Sequence, residues 1–249
     1  MTQELGVATP RRVDALLSLL GTFRLEIAGT VVAVPIGAQR MLALLCLRQC
    51  MSRHQLAGSL WPDSSSKQAL TNLRQVCWRL RDATAGAPVV VENGTLMELG
   101  PEVLSDVGWM SQSLLLPAGE ATALSRSFLF DLTRTEAAHL LVDWDEEWLE
   151  AERERFRQTR LHVLERWAVH LAEQRDHGLA LEAGLAALHT DPLRETAHRT
   201  VIRLHLLEGN VAEAQRAYAR CRSLLWAELG VEPSLETRAL LSSPRPAAV

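Results

Sequence analysis

The sequence predicts a mainly α-helical protein with a small amount of β structure, mixed as far as Gly100 and all-helical after it. Three observations carry this expectation. Strand-like alternation at Phe23, Leu25 and Ile27 and a hairpin signal at Asn93-Gly94 bracket three segments of helical period. Beyond Gly100 the period is almost wholly helical. Finally, His177-Gly178-Leu179-Ala180-Leu181-Glu182-Ala183 resembles Gly209-Asn210-Val211-Ala212-Glu213-Ala214-Gln215 at a spacing close to a roughly 34-residue helical repeat.

The elements follow in order. Phe23, Leu25 and Ile27 form one edge of a small antiparallel sheet, Ala28-Gly29 turns the chain, and Val32 and Val34 resume the alternation before Pro35. From Ala38 a thoroughly buried helix carries Leu42, Leu45 and Cys46, widened by Leu44 and Leu47. Ser52 offers an N-cap to a short helix with Leu56 and Leu60. Pro62-Asp63-Ser64-Ser65-Ser66 is turn chemistry. A third helix, Ser66 to Asp82, presents Leu70, Leu73, Cys77 and Leu80 to a core, with Val76 alongside. Val89 to Val91 and Leu96 to Leu99 close a hairpin around Asn93-Gly94, the pair favoured in tight turns between strands. A helix pair whose second member shows a polar face, followed by a hairpin, is the layout of a winged helix-turn-helix.

The second half is expected to hold a long helix from about Asp145 to Arg175 and shorter pairs beyond, closed by Asp191-Pro192-Leu193 and Glu232-Pro233-Ser234. Such tetratricopeptide-like pairs bury a continuous core by stacking. Domain limits are expected at 16–100 and 106–241, with flexible ends at 1–15 and 242–249. The four cysteines, Cys46, Cys50, Cys77 and Cys221, all fall in helix-like runs, and Cys46 and Cys50 share a helical face. All four are read as buried thiols of a reducing compartment.

Charge is unevenly distributed. Residues 1–100 carry 10 basic and 7 acidic side chains, while residues 101–249 carry 16 and 23, so an anionic ligand suits the first domain and a different partner the second. The apolar stretch Leu16 to Leu20 is far below the roughly 18 residues that suggest a membrane span, and no signal peptide is expected. The acidic run Asp143 to Glu154, interleaved with Trp144, Trp148 and Leu149, reads as a helix entrance with acids favoured by the dipole, not as paired catalytic carboxylates. His198 and His205, one heptad apart, are read as a surface coincidence, and no metal or cofactor is expected. Without a nucleophile constellation or phosphate loop, a binding protein is expected rather than an enzyme.

The third helix supplies the candidate site. At about 100° per residue, Gln68, Thr71, Asn72, Gln75 and Arg79 gather opposite the core stripe, with Lys67, Arg74 and Arg81 on the shoulder. Asn and Gln can offer a donor and an acceptor to adenine, and Arg can grip guanine at two points, so the first group is expected to read bases. The shoulder cations, which include Lys67, the only lysine, suit phosphate oxygens. Asn93, Gly94 and Thr95 form the wing tip against the DNA backbone. Trp78 is expected to pack on the first helix or the wing, the alternative being a sugar or thymine methyl. Trp61 is expected in the core.

Particular motifs resemble the Streptomyces antibiotic regulatory protein (SARP) type of transcriptional activator, an OmpR-like winged helix joined to a bacterial transcriptional activation domain. They include Gln39-Arg40-Met41-Leu42-Ala43-Leu44-Leu45, Leu60-Trp61, Arg79-Leu80-Arg81, Trp144 to Trp148, Asp191-Pro192-Leu193-Arg194-Glu195, Ala217-Tyr218 and Glu228-Leu229-Gly230-Val231-Glu232-Pro233. The resemblance implies a cytoplasmic, nucleoid-associated regulator that binds direct repeats in double-stranded DNA near promoters, recruits RNA polymerase and self-associates on DNA or dimerises, with no membrane partner. It also implies a polymerase contact at Pro62, Asp63, Ser64 and Ser65. The chain departs from the family pattern at Asp82, where another Arg is usual, at Trp78, near a usual Ser, and in a wing lacking the usual glycine-rich, Tyr-Arg-Leu ending. It has no nucleotide-binding loop of the kind larger members carry. The second reading is therefore a tetratricopeptide-like scaffold or effector-binding regulator whose DNA-binding domain is weakened.

Overall fold

The computed structural model describes residues 15–113, 132–133 and 139–242. The expected flexible ends lie outside the described residues, apart from Ala15 and Ser242 at their margins. The chain divides into two compact units, Met1–Trp109 and Met110–Val249. The first is a winged helix-turn-helix and the second an all-α repeat, giving the mainly α architecture with small sheets.

In the first unit, β1 (Ala15–Ser18) pairs antiparallel with β2 (Arg24–Ile27), which pairs with the two-residue β3 (Thr30–Val31). Ala28 and Gly29, both at positive φ, form the turn. The alternation expected at Val32 and Val34 does not continue as strand, because the chain turns at Pro35 into α1 (Ile36–Arg48). The helix is buried almost all round, with Ala38 and every residue from Met41 to Leu47 inside.

Three short strands escape sequence reasoning, β1 and the segments Cys50–Ser52 and Val103–Ser105. Gln49 adopts a left-handed φ of 69°, ends α1, and sends the chain into β4 (Cys50–Ser52), which pairs with the hairpin. Cys50 therefore does not share a helical face with Cys46, and it is exposed rather than buried. Cys46 and Cys221 are buried, as expected, and burial pushes the Cys46 thiol up to about 12. Cys77 is half-buried. After β5 (Val90–Asn93) and β6 (Leu96–Leu99), β7 (Val103–Ser105) returns to pair in parallel with β1. The first unit thus runs past Gly100 to Trp109. Gly100 itself is needed for a close approach, since a Cβ there would overlap the Pro88 carbonyl oxygen.

In the second unit, α5 (Glu147–Glu173) is followed by α6 (His177–Thr190), α7 (Glu195–Leu207), α8 (Val211–Leu229) and α9 (Leu235–Ser242). Asp176 and Asn210 stand at the N-caps of α6 and α8, so the repeat measured from Asp176 to Asn210 is 34 positions. The acidic stretch opens α5 as expected. Glu147 and Glu150 are in its first turn, and Trp144 and Trp148 meet edge to face at 6.4 Å. Val201, Ile202, Ala214 and Ala217 form the core of α7 against α8.

The two closing motifs act as staples. In Asp191-Pro192-Leu193-Arg194-Glu195, Asp191 accepts from the Leu193 N–H and pairs with Arg157, while Arg194 grips Glu165 through two bonds of 2.8 Å. Gly230, at φ 68°, caps α8 in the left-handed conformation, and Glu232 then takes Arg222 in a fork of 2.9 and 3.0 Å. Glu195 joins the motifs, accepting the Ser234 N–H at 2.8 Å as well as the hydroxyls of Ser234 and Thr237. Partial burial pushes the Glu195 carboxyl up, but these hydrogen bonds, aided by Arg199, outweigh it and hold the group below the usual carboxylate range.

A lowered folded pKa gives stability that is present above the unfolded value of about 4.3 and is lost as pH falls through the folded value. Glu195→Gln is therefore expected to cost about 1 kcal/mol near neutrality. Thermal unfolding followed by circular dichroism from pH 7 to 3 should show wild type and variant converging at the acid end.

Candidate nucleic-acid interface

The helix pair is set by local chemistry. Ser52 caps α2 (Arg53–Leu60) in a reciprocal capping box with Gln55, and Ser65 caps α3 (Ser66–Ala83), its hydroxyl accepting the Gln68 N–H at 3.3 Å. Between them, Pro62, Asp63 and Ser65 are exposed and Ser64 is half-buried. Ser64 donates its N–H to the Trp61 carbonyl. Trp61, expected in the core, is half-buried. Ala69, Leu73, Val76 and Leu80 hold α3 to its unit, and Leu70 and Cys77 are only half-buried. The buried stripe is thus rotated toward Ala69 and Val76.

The opposite face is presented to solvent. Lys67, Gln68, Arg74, Gln75, Arg79 and Arg81 are exposed, and Thr71 and Asn72 are half-buried. Gln68, Asn72, Gln75 and Arg79 fall within about 60° of arc, and Lys67, Arg74 and Arg81 form a second row beside them. None of these four cations is held in an ion pair among the described residues, although Asp82 lies on the same helix. Gln68 Nε2 donates to Asn72 Oδ1 at 3.0 Å, so these two amides are pre-oriented by each other. Thr71 donates its hydroxyl to the Lys67 carbonyl at 2.9 Å, which leaves its lone pairs and methyl for any partner.

Trp78 overturns the expectation of packing within the domain: it is 68% exposed. Its ring makes no aromatic contact among the described residues.

The wing hairpin is present, with one change of register. Asn93 pairs with Leu96, so Gly94-Thr95 rather than Asn93-Gly94 is the central pair, and Gly94 supplies the positive φ of 63°. Asn93, Gly94 and Thr95 are all exposed. The wing strands carry Glu92 and Glu98 and no cation. Glu92 instead reaches across to α2 and pairs with Arg53, whose guanidinium holds the Glu92 carboxyl below its usual range. That pair joins residues 39 positions apart, and no local spacing could have announced it.

His198 is buried, not a surface residue; its Nε2–H donates to the Pro192 carbonyl at 2.9 Å, and burial pushes its pKa down. Among the described residues no cluster of three or more His, Cys, Asp or Glu could hold a metal ion, and no helix is long and apolar enough to cross a membrane.

Residues 131–243 match the bacterial transcriptional activator domain. Over 246 residues the chain is 31% identical to the regulatory protein AfsR of Streptomyces coelicolor, a match covering 91% of this chain and 24% of that protein. AfsR of Streptomyces griseus is 29% identical over 242 residues, with the same two coverages. The chain thus spans about a quarter of the length of these curated relatives. Among solved structures, the fold is similar to Mycobacterium tuberculosis EmbR in complex with a low affinity phosphopeptide. The TM-score is 0.70 at 19% identity, covering 92% of this chain and 64% of that one. With a winged helix in front, an activator domain over residues 131–243 behind and the AfsR likeness running through both, the chain is similar to transcriptional regulators of the SARP type.

Proposed function

We propose that the protein is a sequence-specific DNA-binding activator that works in the cytoplasm on the nucleoid, with α3 in the major groove of double-stranded DNA. The observation that carries this reading is the outward face of α3, where a row of amide and guanidinium groups lies beside a row of unpaired cations. Gln68, Thr71, Asn72, Gln75 and Arg79 read bases; Lys67, Arg74 and Arg81 hold phosphates. Asn93, Gly94 and Thr95 lie against the backbone of the duplex. The family resemblance extends the proposal to direct repeats near promoters, to pairs of copies on DNA, and to RNA polymerase met at Pro62, Asp63, Ser64 and Ser65. Ser65 serves this loop and the α3 cap at once.

Selection of bound duplexes from a random library, followed by titration of the best at several salt concentrations, tests the reading. A repeated short element whose affinity falls steeply with salt is the expected result. Enrichment of nothing at low or high salt would overturn it and favour the second reading, a protein-binding scaffold.

One observation does favour that second reading. The wing has no cation, and its Glu92 neutralises Arg53, the first residue of α2. Glu92→Gln frees the guanidinium. If the wing and the start of α2 face the duplex, affinity for the selected element should rise several-fold, and the salt dependence should steepen by up to about one unit. An unchanged salt slope in the same titration would place Arg53 away from the phosphates.

A further inference from the structure

We propose that Trp78 is a specificity-determining residue whose indole packs on a thymine methyl group at the wall of the major groove. This inference rests on the DNA-binding reading above. Its starting point is a large apolar side chain, 68% exposed, in the middle of the polar face of α3. Single exposed hydrophobic residues are common on protein surfaces, so exposure alone decides little. The position on the helix decides more.

At about 100° per residue, Trp78 falls between the row of Gln68, Asn72, Gln75 and Arg79 and the row of Lys67, Arg74 and Arg81. The first row points toward base edges and the second toward phosphates. A side chain between them meets the strip of groove between base edge and backbone, where the thymine C5-methyl projects. The unpaired cations on either side of Trp78 suit the negative potential of that strip.

The chemistry of indole also selects among bases. Tryptophan offers an apolar face and one N–H donor, with no acceptor. Thymine presents a methyl group and, next to it, the O4 acceptor, which matches both features. Cytosine presents the N4 amino donor in the same place and no methyl, which matches neither. Burying one methyl is worth about a fourfold change in affinity.

The test uses the full chain and its selected element, with each thymine replaced in turn by deoxyuridine, which removes only the methyl. Wild type should weaken about fourfold at one thymine per half-site. Trp78→Ala should bind the parent element more weakly and be indifferent to that replacement. Trp78→Phe should keep the sensitivity to the methyl, because it retains an apolar ring. Trp78 is exposed, so the melting temperature of either variant should match wild type.

Equal thymine-to-deoxyuridine ratios for wild type and Trp78→Ala at every position would overturn the assignment. So would a uniform loss on all duplexes, which would mean a sugar contact. A wild-type protein that enriches no duplex would defeat the DNA-binding reading itself, an outcome distinct from either.

Discussion

Arg79→Ala is expected to relax specificity at one guanine of the bound element while leaving other positions intact. The exposed guanidinium of Arg79 has no carboxylate partner among the described residues, and it lies on the same row as Gln68, Asn72 and Gln75. A bidentate grip on guanine discriminates by about 1–3 kcal/mol, so the preference at that base should fall by roughly 5- to 150-fold. Arg74→Ala removes a cation from the neighbouring row, and its effect has a different shape. Binding should weaken about equally on all sequences, and the salt dependence should flatten by about one unit. Titrations of both variants on the selected element, on single-base mismatches and at several salt concentrations separate the two outcomes. Equal losses for both variants on every sequence would dissolve the division between base readers and phosphate clamps.

The division into rows was legible because it depends only on helical period. Once Leu73 and Leu80 mark a core stripe, the side chains opposite them have to face solvent. The repeat unit was legible for a similar reason, since its motifs are local devices. Gly230 must take a left-handed cap, and Asp191 and Glu232 bond close neighbours along the chain or on the adjoining helix. What escaped was non-local or very short. The three-residue strands β4 and β7 carry too few side chains to show a period, and each exists because a distant strand accepts its backbone bonds. The Arg53–Glu92 pair joins α2 to the wing, and its formation depends on a register that sequence misplaced by one residue at the turn. Trp78 misled for a physical reason: a tryptophan ordinarily gains by burial, and this one lies on a face that the core stripe turns outward.

Asp106→Ala is expected to cost the winged-helix unit about 3 kcal/mol or more, although Asp106 lies beyond the wing. The residue is buried, and its carboxylate accepts three backbone N–H groups. Leu19 donates to Oδ2 at 2.9 Å and to Oδ1 at 3.1 Å, Leu20 to Oδ2 at 2.9 Å, and Val107 to Oδ1 at 2.7 Å. These bonds tie the segment after β1 to the start of α4 (Asp106–Ser113), alongside the parallel pairing of β1 with β7. Alanine leaves the donors without an acceptor, at about 1–3 kcal/mol for each that stays buried and unmade. Urea unfolding of the full chain, followed by DNA affinity where an element has been selected, measures the loss; a change under 1 kcal/mol would show that water replaces the carboxylate.

Asp106→Asn separates hydrogen bonding from charge. Burial pushes the Asp106 carboxyl up, against the lowering effect of the three N–H groups. A raised folded pKa gives stability that is complete below the unfolded value of about 3.9 and lost as pH rises through the folded value. Measured as a difference from Asp106→Asn, wild type should therefore gain stability as pH falls from neutrality toward 3.9. A constant difference across that window would mean that the carboxylate is as comfortable ionised inside the fold as in water, and that the N–H groups fully offset its burial. In either case the anchor lies next to Ser105 of β7, whose hydroxyl oxygen accepts from the Cys46 thiol of α1 at 3.2 Å, and α1 packs against α3. A residue far along the chain from the recognition face therefore helps decide whether that face is presented at all.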